Sequence, residues 1–178
     1  AKIDSEVAEN IRRRGGPSSL LITDFTDKTI VGLTLAQIAQ QRNLTAVDAA
    51  IALVQQGDIR IASFNMSATD VERFMVKPWV VTSSDGTNGH PRKYASFAKK
   101  YQGYVKDKKI LSLAQFIHRS ATQTAQILGL SDRGMIKLGL KADIIVFDQQ
   151  NLAPKADFAK WNEYSTGVEH VIINGQQV

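Results

Sequence analysis

The chain has 178 residues, of which 43% are hydrophobic, and its formal net charge at pH 7 is +5. This length and content suffice for a sizeable core, while no apolar run approaches the roughly 20 residues of a membrane span, so we expect no membrane segment. The polar first residues do not match a secretory signal, and we expect a cytoplasmic protein. Because the chain contains no cysteine, disulfides and thiolate metal ligands within it are excluded.

The first eighty residues alternate between helix and strand patterns. A helix is predicted over 3–14, and three more are predicted to begin after the N-cap residues Thr34, Thr45 and Ser67. The predicted strands are short apolar runs, at 18–23, 59–65 and 79–82. The order of strand, helix, strand, loop and helix is typical of β/α units in a parallel sheet.

A loop rich in Gly, Asn and Pro covers 83–92 and separates the last predicted strand from a helix. In this helix Phe97, Tyr101 and Tyr104 follow the i, i+4, i+7 spacing of a packing face, which places the neighbouring lysines on the solvated side. A capping box at Ser112 predicts a second helix that continues to Gly129.

The pattern changes again after Leu130, where short strands follow one another without helices. Gly134 and Gly139 bracket one such strand, and the apolar run 144–147 suits another. Asn174-Gly175 is typical of a type I′ hairpin. We therefore predict two domains, with residues 1–130 forming a partial β/α segment with a helical insertion and residues 131–178 forming the strands of a small β domain.

Asp85 is the strongest candidate for chemistry, since it follows the predicted strand 79–82 directly and precedes Gly86. In a β/α barrel, catalytic groups gather at the carboxyl ends of the strands. A carboxylate there can accept a proton from a metal-bound water and pass it to a leaving amine. An aspartate after a strand also commonly caps the next turn, so the residues alone leave both interpretations open.

Several stretches of the sequence resemble the N-acyl-D-amino-acid deacylases, the D-aminoacylase branch of the metal-dependent amidohydrolases. They are GLTLAQIAQQRNLTAVDAAIALV at 32–54, VVTSSDGTNGHPR at 80–92, LSLAQFIHRSATQTAQILGLSDRGMIKLGLKADIIVFD at 111–148 and VIINGQQV at 171–178. The resemblance covers most of the chain from about Gly32 onward. It implies an α/β fold, namely the C-terminal part of a (β/α)8 metal-dependent hydrolase barrel followed by strands of a small β-sandwich domain.

The resemblance also implies roles for three residues. In this family the aspartate of S-D-G contacts the metal centre and acts as general acid and base, which implies both roles for Asp85. The H-P-R segment implies that Arg92 holds the carboxylate of the substrate, which a guanidinium can bind through two parallel hydrogen bonds. His90 would orient the substrate or Asp85. The alternatives are a surface arginine on a loop and a histidine that merely packs against Pro91.

Zinc is the cofactor that the resemblance implies, but the chain lacks most of the expected ligands. Its three histidines, at 90, 118 and 170, include no H-x-H pair, and zinc sites usually use three or four ligands. The resemblance therefore implies that an N-terminal half of the barrel, absent here, supplies them, with Asp85 as the single ligand from this chain. We expect the isolated chain to be inactive. The open strand edges of a truncated barrel would favour a homo-oligomer.

The expected reaction of the parent enzyme is hydrolysis of an N-acyl-D-amino acid, a small-molecule substrate, to a carboxylate and a free D-amino acid. One alternative is a non-catalytic binding or regulatory module that retains an amidohydrolase tail. A second is a nucleic-acid-binding domain, but the aromatic residues among the lysines match a helix packing face, so we expect no nucleic-acid partner. A third is a cyclic-amide hydrolase, against which the spacing from S-D-G to H-P-R favours the deacylase.

Overall fold

The structure, a computed structural model, describes residues 2–86 and 88–178. The chain divides into two compact units, Ala1–Ala68 and Thr69–Val178. The predicted domain boundary near Leu130, between residues 1–130 and 131–178, stays a prediction. Among the helices of the described residues, none has both the length and the apolar character needed to cross a membrane.

The first unit is built from three helices and two strands, and its predicted helix starts are confirmed. Its elements are α1 (Lys2–Arg13), β1 (Leu20–Asp24), α2 (Leu35–Gln41), α3 (Ala46–Gln56) and β2 (Arg60–Ser63), with 3₁₀ turns at Pro17–Ser19 and Lys28–Ile30. Thr34 Oγ1 accepts the Gln37 N–H at 3.3 Å while Gln37 Oε1 accepts the Thr34 N–H at 2.8 Å. This reciprocal capping box fixes the start of α2. Thr45 caps α3 through a single bond, in which its side chain accepts the N–H of Asp48.

The two strands of the first unit pair antiparallel, with Leu21 opposite Ala62 and Ile22 opposite Ile61. This antiparallel pairing differs from the parallel arrangement predicted for the strands at 59–65 and 79–82. The reason lies in the connection, which contains two helices, α2 and α3. A single crossover helix returns the chain to the starting end of the sheet and makes the next strand parallel, whereas a second helix reverses the direction once more. The core of this unit lies between the strand pair and the helices, and its most buried side chains are Ile22, Ile38, Ala49 and Leu53.

The second unit contains more helices and a small sheet. Its elements are α4 (Ala68–Met75, which begins at the unit boundary), α5 (Arg92–Lys100), a π-helical stretch (Tyr101–Asp107), α6 (Leu113–Ser120), α7 (Thr122–Ile127), β3 (Ile144–Phe147), β4 (Val168–Ile173) and β5 (Gln176–Gln177). The small sheet is antiparallel in the order β3-β4-β5. Asn174 and Gly175 have φ values of +50° and +81°, which confirms the predicted hairpin turn.

The predicted strand at 79–82 is wrong, because these residues form no strand in the described part of the chain. Side chains from the helices hold this segment and the residues before it. Arg119 donates to the carbonyls of Met75 (2.6 Å) and Val76 (3.2 Å), and Gln123 donates to the carbonyl of Pro78. A strand requires a neighbouring strand for its backbone groups, and the residues described here supply none beside 79–82.

Two further expectations fail in the second unit. The predicted helix from Ser112 to Gly129 begins at its capping box but is broken at Ala121, whose φ and ψ are −127° and −82°. At this break the Thr124 hydroxyl donates to the Arg119 carbonyl at 2.7 Å, so a side chain satisfies the end of α6. The predicted strand between Gly134 and Gly139 is also absent, and the side chain of Leu138 is fully exposed. The residues between the two glycines therefore do not form a strand, because no strand of the described residues pairs with them.

Candidate active site

Asp85 lies in a tight turn that fixes its carboxylate. Its φ of +47° is in the left-handed region, which an aspartate adopts more readily than most residues because its side chain bonds the local backbone. The Asp85 N–H donates to Ser83 Oγ at 3.3 Å, and the Gly86 N–H donates to Asp85 Oδ1 at 2.7 Å. The side chain is 68% exposed. The carboxylate is thus held by its own loop and is open to solvent.

Arg92 begins α5 and binds the predicted catalytic carboxylate directly. Its Nη2 lies 3.0 Å from Asp85 Oδ2. Since Oδ1 accepts the Gly86 N–H, both oxygens of Asp85 have a donor. The structure therefore brings together the two residues to which sequence analysis assigned catalysis and substrate binding. A carboxylate and a guanidinium at this distance form a charge-assisted hydrogen bond.

His90 contacts the backbone of Arg92 through its ring. The Arg92 N–H donates to His90 Nδ1 at 3.1 Å, which requires that this nitrogen is unprotonated. Burial lowers the pKa of His90, and the positive charges of Arg92 and Lys99 lower it further, although Asp85 opposes them. The imidazole is therefore neutral near pH 7, and its other nitrogen, Nε2, carries the proton. In this structure His90 orients the backbone at Arg92.

Lys100, which contacts a residue near the site, is buried, although sequence analysis predicted an exposed lysine. Lys100 is 4% exposed and donates to Thr82 Oγ1, three residues before Asp85. Burial lowers its pKa from 10.5 to about 8, with a smaller contribution from the positive charge of Arg119. The prediction that the lysines of this helix face solvent is wrong for Lys100. The helical periodicity of the sequence did not predict this burial, because it involves a tertiary contact with Thr82.

The residues described here do not form a zinc site. No group of three or more His, Asp or Glu side chains among them is arranged to hold a metal ion. Asp85 offers one carboxylate, and Arg92 and Gly86 already bind it. The two other histidines, His118 on α6 and His170 on β4, are exposed. The described residues therefore do not complete a metal centre by themselves.

A second feature that sequence analysis missed is a group of aromatic rings beside the site. The ring of Phe158 lies 5.0 Å from that of His90 in an edge-to-face arrangement. Tyr94 makes similar contacts with Trp161 (5.9 Å) and Tyr164 (5.5 Å). These rings come from a segment far along the chain, so no local pattern could have placed them here.

Comparison with known proteins identifies the family to which this chain belongs. The model of the amidohydrolase family matches residues 21–178. The N-acyl-D-glutamate deacylase of Alcaligenes xylosoxydans xylosoxydans is 32% identical over 187 aligned residues, which cover 96% of this chain and 38% of that protein.

Solved structures agree with the sequence comparison. The N-acyl-D-glutamate deacylase of Bordetella bronchiseptica, solved with zinc and a phosphonate that mimics the tetrahedral intermediate of the reaction, superposes with a TM-score of 0.82 at 28% identity. The match covers 94% of this chain and 36% of that one. A D-aminoacylase studied for its binuclear metal centre superposes with a TM-score of 0.78 at 27% identity, over 89% of this chain and 34% of that one. The chain thus spans little more than a third of the length of the proteins it matches.

Proposed function

Because the chain belongs to the amidohydrolase family, we propose that it forms the C-terminal part of a metal-dependent enzyme that hydrolyses N-acyl-D-amino acids. The products are a carboxylate and a free D-amino acid. The similarity to two N-acyl-D-glutamate deacylases supports this substrate class. In the proposed enzyme, residues 1–130 belong to a (β/α)8 barrel, and residues 131–178 belong to a small β-sandwich domain.

The observation that carries the proposal is the pairing of Asp85 with Arg92, whose charged atoms lie 3.0 Å apart. A substrate with an α-carboxylate and a scissile amide a few bonds away needs a cation for the first and a proton carrier for the second. The loop and the start of α5 place one residue of each kind side by side. This arrangement fits an N-acyl amino acid better than an uncharged amide.

Asp85 is the proposed proton carrier. In amide hydrolysis the oxygen of water forms a bond with the acyl carbon and the C–N bond breaks. One proton of the water is transferred to the leaving amine nitrogen, and the second, released when the acid product ionises to a carboxylate, protonates the free amine. A carboxylate that accepts the first proton from the water and then delivers it to the leaving amine returns to its starting charge. The exposure of Asp85, at 68%, leaves the side chain accessible to both groups.

Arg92 is the proposed substrate-binding residue. The guanidinium would bind the α-carboxylate of the substrate, a planar group that matches its geometry. Since Arg92 Nη2 binds Asp85 Oδ2 in this structure, the substrate carboxylate would compete with Asp85 for the same cation.

Zinc enters the proposal through the relative that was solved with it. Since the described residues do not hold a metal by themselves, the remaining ligands would come from the N-terminal half of the barrel. We therefore propose that the 178 residues alone do not hydrolyse the substrate.

The test compares enantiomers. The natural polypeptide that contains these residues is incubated with N-acetyl-D-glutamate and N-acetyl-L-glutamate, and with the corresponding methionine derivatives, and the free amino acids are resolved by chiral chromatography. We expect the D-amino acids to be released at least about 100-fold faster than the L-amino acids, a difference of roughly 3 kcal/mol in transition-state binding. The 178-residue chain in the same assay should release neither. Equal rates for the two enantiomers, or no release by the natural polypeptide, would refute the proposal. The remaining candidate would then be the non-catalytic binding or regulatory module.

A further inference from the structure

Residues 154–165, here called the aromatic loop, connect β3 to β4 and close on themselves. The loop has no helix or strand, but its two ends are joined, because Ala153 and Thr166 exchange backbone hydrogen bonds of 3.3 and 2.9 Å. Within it the carboxylate of Asp157 accepts the N–H groups of Ala159 and Lys160 at 2.8 and 2.7 Å. A loop with joined ends and internal hydrogen bonds is an Ω-loop, a compact unit rather than a free connection.

The aromatic loop contacts the H-P-R segment on both sides of Arg92. On one side, the ring of Phe158 packs against His90, with centroids 5.0 Å apart and an interplanar angle of 76°. On the other side, Tyr94 packs against two rings of the loop, and Ser165 Oγ donates to the Tyr94 carbonyl at 3.0 Å. The loop therefore holds the residue two before Arg92 and the residue two after it.

The contact with His90 reaches Arg92 through one hydrogen bond. Phe158 fixes the plane of the imidazole, and His90 Nδ1 then accepts the Arg92 N–H at 3.1 Å. The half-exposed ion pair between Arg92 and Asp85 is too weak to fix the arginine alone, since solvent screens such pairs. An edge-to-face aromatic contact adds a second restraint that solvent does not screen in this way.

We infer that the aromatic loop is a positioning element that holds His90 and Arg92 in the geometry needed to bind the substrate carboxylate, and that Phe158 is its main positioning residue. This inference rests on the proposed function for its catalytic consequence, although the positioning itself is a property of the chain. Small misplacements of a clamping residue weaken substrate binding strongly.

The first experiment measures positioning without activity, in the 178-residue chain. Hydrogen exchange of the Arg92 amide is followed by NMR in wild type and in Phe158→Leu, which keeps an apolar side chain but removes the ring. We expect exchange at Arg92 to be at least about tenfold faster in the variant, because the ring of Phe158 no longer holds His90, whose Nδ1 accepts the Arg92 N–H. Core amides such as that of Tyr101, which report global unfolding, should remain protected. Phe74→Leu, on α4 and exposed, is the matched control and should leave Arg92 unchanged.

The second experiment measures the catalytic consequence in the natural polypeptide. Phe158→Leu should raise KM for N-acetyl-D-glutamate about tenfold while kcat stays within about threefold, and Phe158→Tyr, which restores a ring, should recover most of the loss. Unchanged exchange at Arg92 in a folded Phe158→Leu variant would overturn the inference, and so would an unchanged KM. If the wild-type polypeptide hydrolyses no substrate, the proposed function fails, while the exchange experiment still decides whether the loop positions Arg92.

Discussion

Arg92 Nη2 lies 3.0 Å from Asp85 Oδ2, so the residue proposed to bind the substrate and the residue proposed to transfer the proton bind each other. The pair is local, because only the turn after Asp85 and the first residue of α5 are needed to form it. An incoming carboxylate would bind Arg92 at the expense of Asp85. Substrate binding would therefore separate Arg92 from Asp85.

Replacing Arg92 by lysine should weaken substrate binding more than it slows the chemical step. Lysine keeps the charge but cannot form two parallel hydrogen bonds to a carboxylate, so we expect KM to rise about tenfold or more with kcat within about fivefold. Steady-state kinetics of the natural polypeptide on N-acetyl-D-glutamate measure both constants. Arg73→Lys on α4, an exposed arginine in a surface ion pair, is the control and should change neither. A KM within twofold of wild type in Arg92→Lys would contradict the assignment.

Replacing Lys100 by methionine should stabilise the chain near neutral pH. Lys100 is 4% exposed, and its pKa falls from 10.5 to about 8, so the folded protein holds a buried charge below pH 8. The shift corresponds to about 3 kcal/mol, and loss of the hydrogen bond to Thr82 offsets about 1 kcal/mol of it. We expect Lys100→Met to raise the free energy of unfolding at pH 7 by about 2 kcal/mol, measured by urea unfolding.

The pH dependence of this effect has a definite sign. Between pH 8 and 10.5 the unfolded chain binds the Lys100 proton more tightly than the folded chain, so wild-type stability rises with pH in that window. The advantage of Lys100→Met should therefore shrink by about 2 kcal/mol between pH 7 and pH 10. Lys99→Met, an exposed neighbour on the same helix, is the control and should show no such trend. If the difference in the free energy of unfolding between wild type and Lys100→Met does not depend on pH, Lys100 does not carry a buried charge in the folded protein.

Local signals predicted local structure well. The N-caps Thr34, Thr45 and Ser112 each bond an N–H three residues along the chain, and the turn at Asn174-Gly175 uses the positive φ that these two residues tolerate. Each of these features depends on side-chain-to-backbone contacts within about four residues. The residues that make such contacts are close together in the sequence, so a local pattern predicts them.

Features that depend on distant partners were not predictable in this way. The orientation of β2 against β1 follows from a second helix in the connection, and the segment 79–82 lacks a neighbouring strand among the described residues. The burial of Lys100 depends on Thr82, and the ring contact of His90 depends on Phe158. For the site, the family resemblance selected Asp85, His90 and Arg92, and the structure brings them together, while their roles stay predictions.

Gly167 should be intolerant of a side chain in a way that a second glycine of similar φ is not. Gly167 has φ +78°, and an added Cβ would overlap the backbone of Asn151 and Leu152, next to the base of the aromatic loop. Gly175 has φ +81°, and no heavy atom outside its chain neighbours lies within 4 Å of an added Cβ. We expect Gly167→Ala to lower the free energy of unfolding by about 3 kcal/mol or more, against about 1 kcal/mol for Gly175→Ala. Equal losses in thermal unfolding would show that φ alone, and not the close approach, determines the cost.

The most direct test of the proposed active site is the kcat of Asp85→Asn in the natural polypeptide, on N-acetyl-D-glutamate. Asparagine has nearly the same shape but cannot accept and return the proton, so kcat should fall by about 100-fold to 10,000-fold, while KM should not rise because a competitor for Arg92 is removed. Asp58→Asn, an exposed aspartate in the first unit, is the control and should retain full activity. A kcat within threefold of wild type in Asp85→Asn would contradict the account.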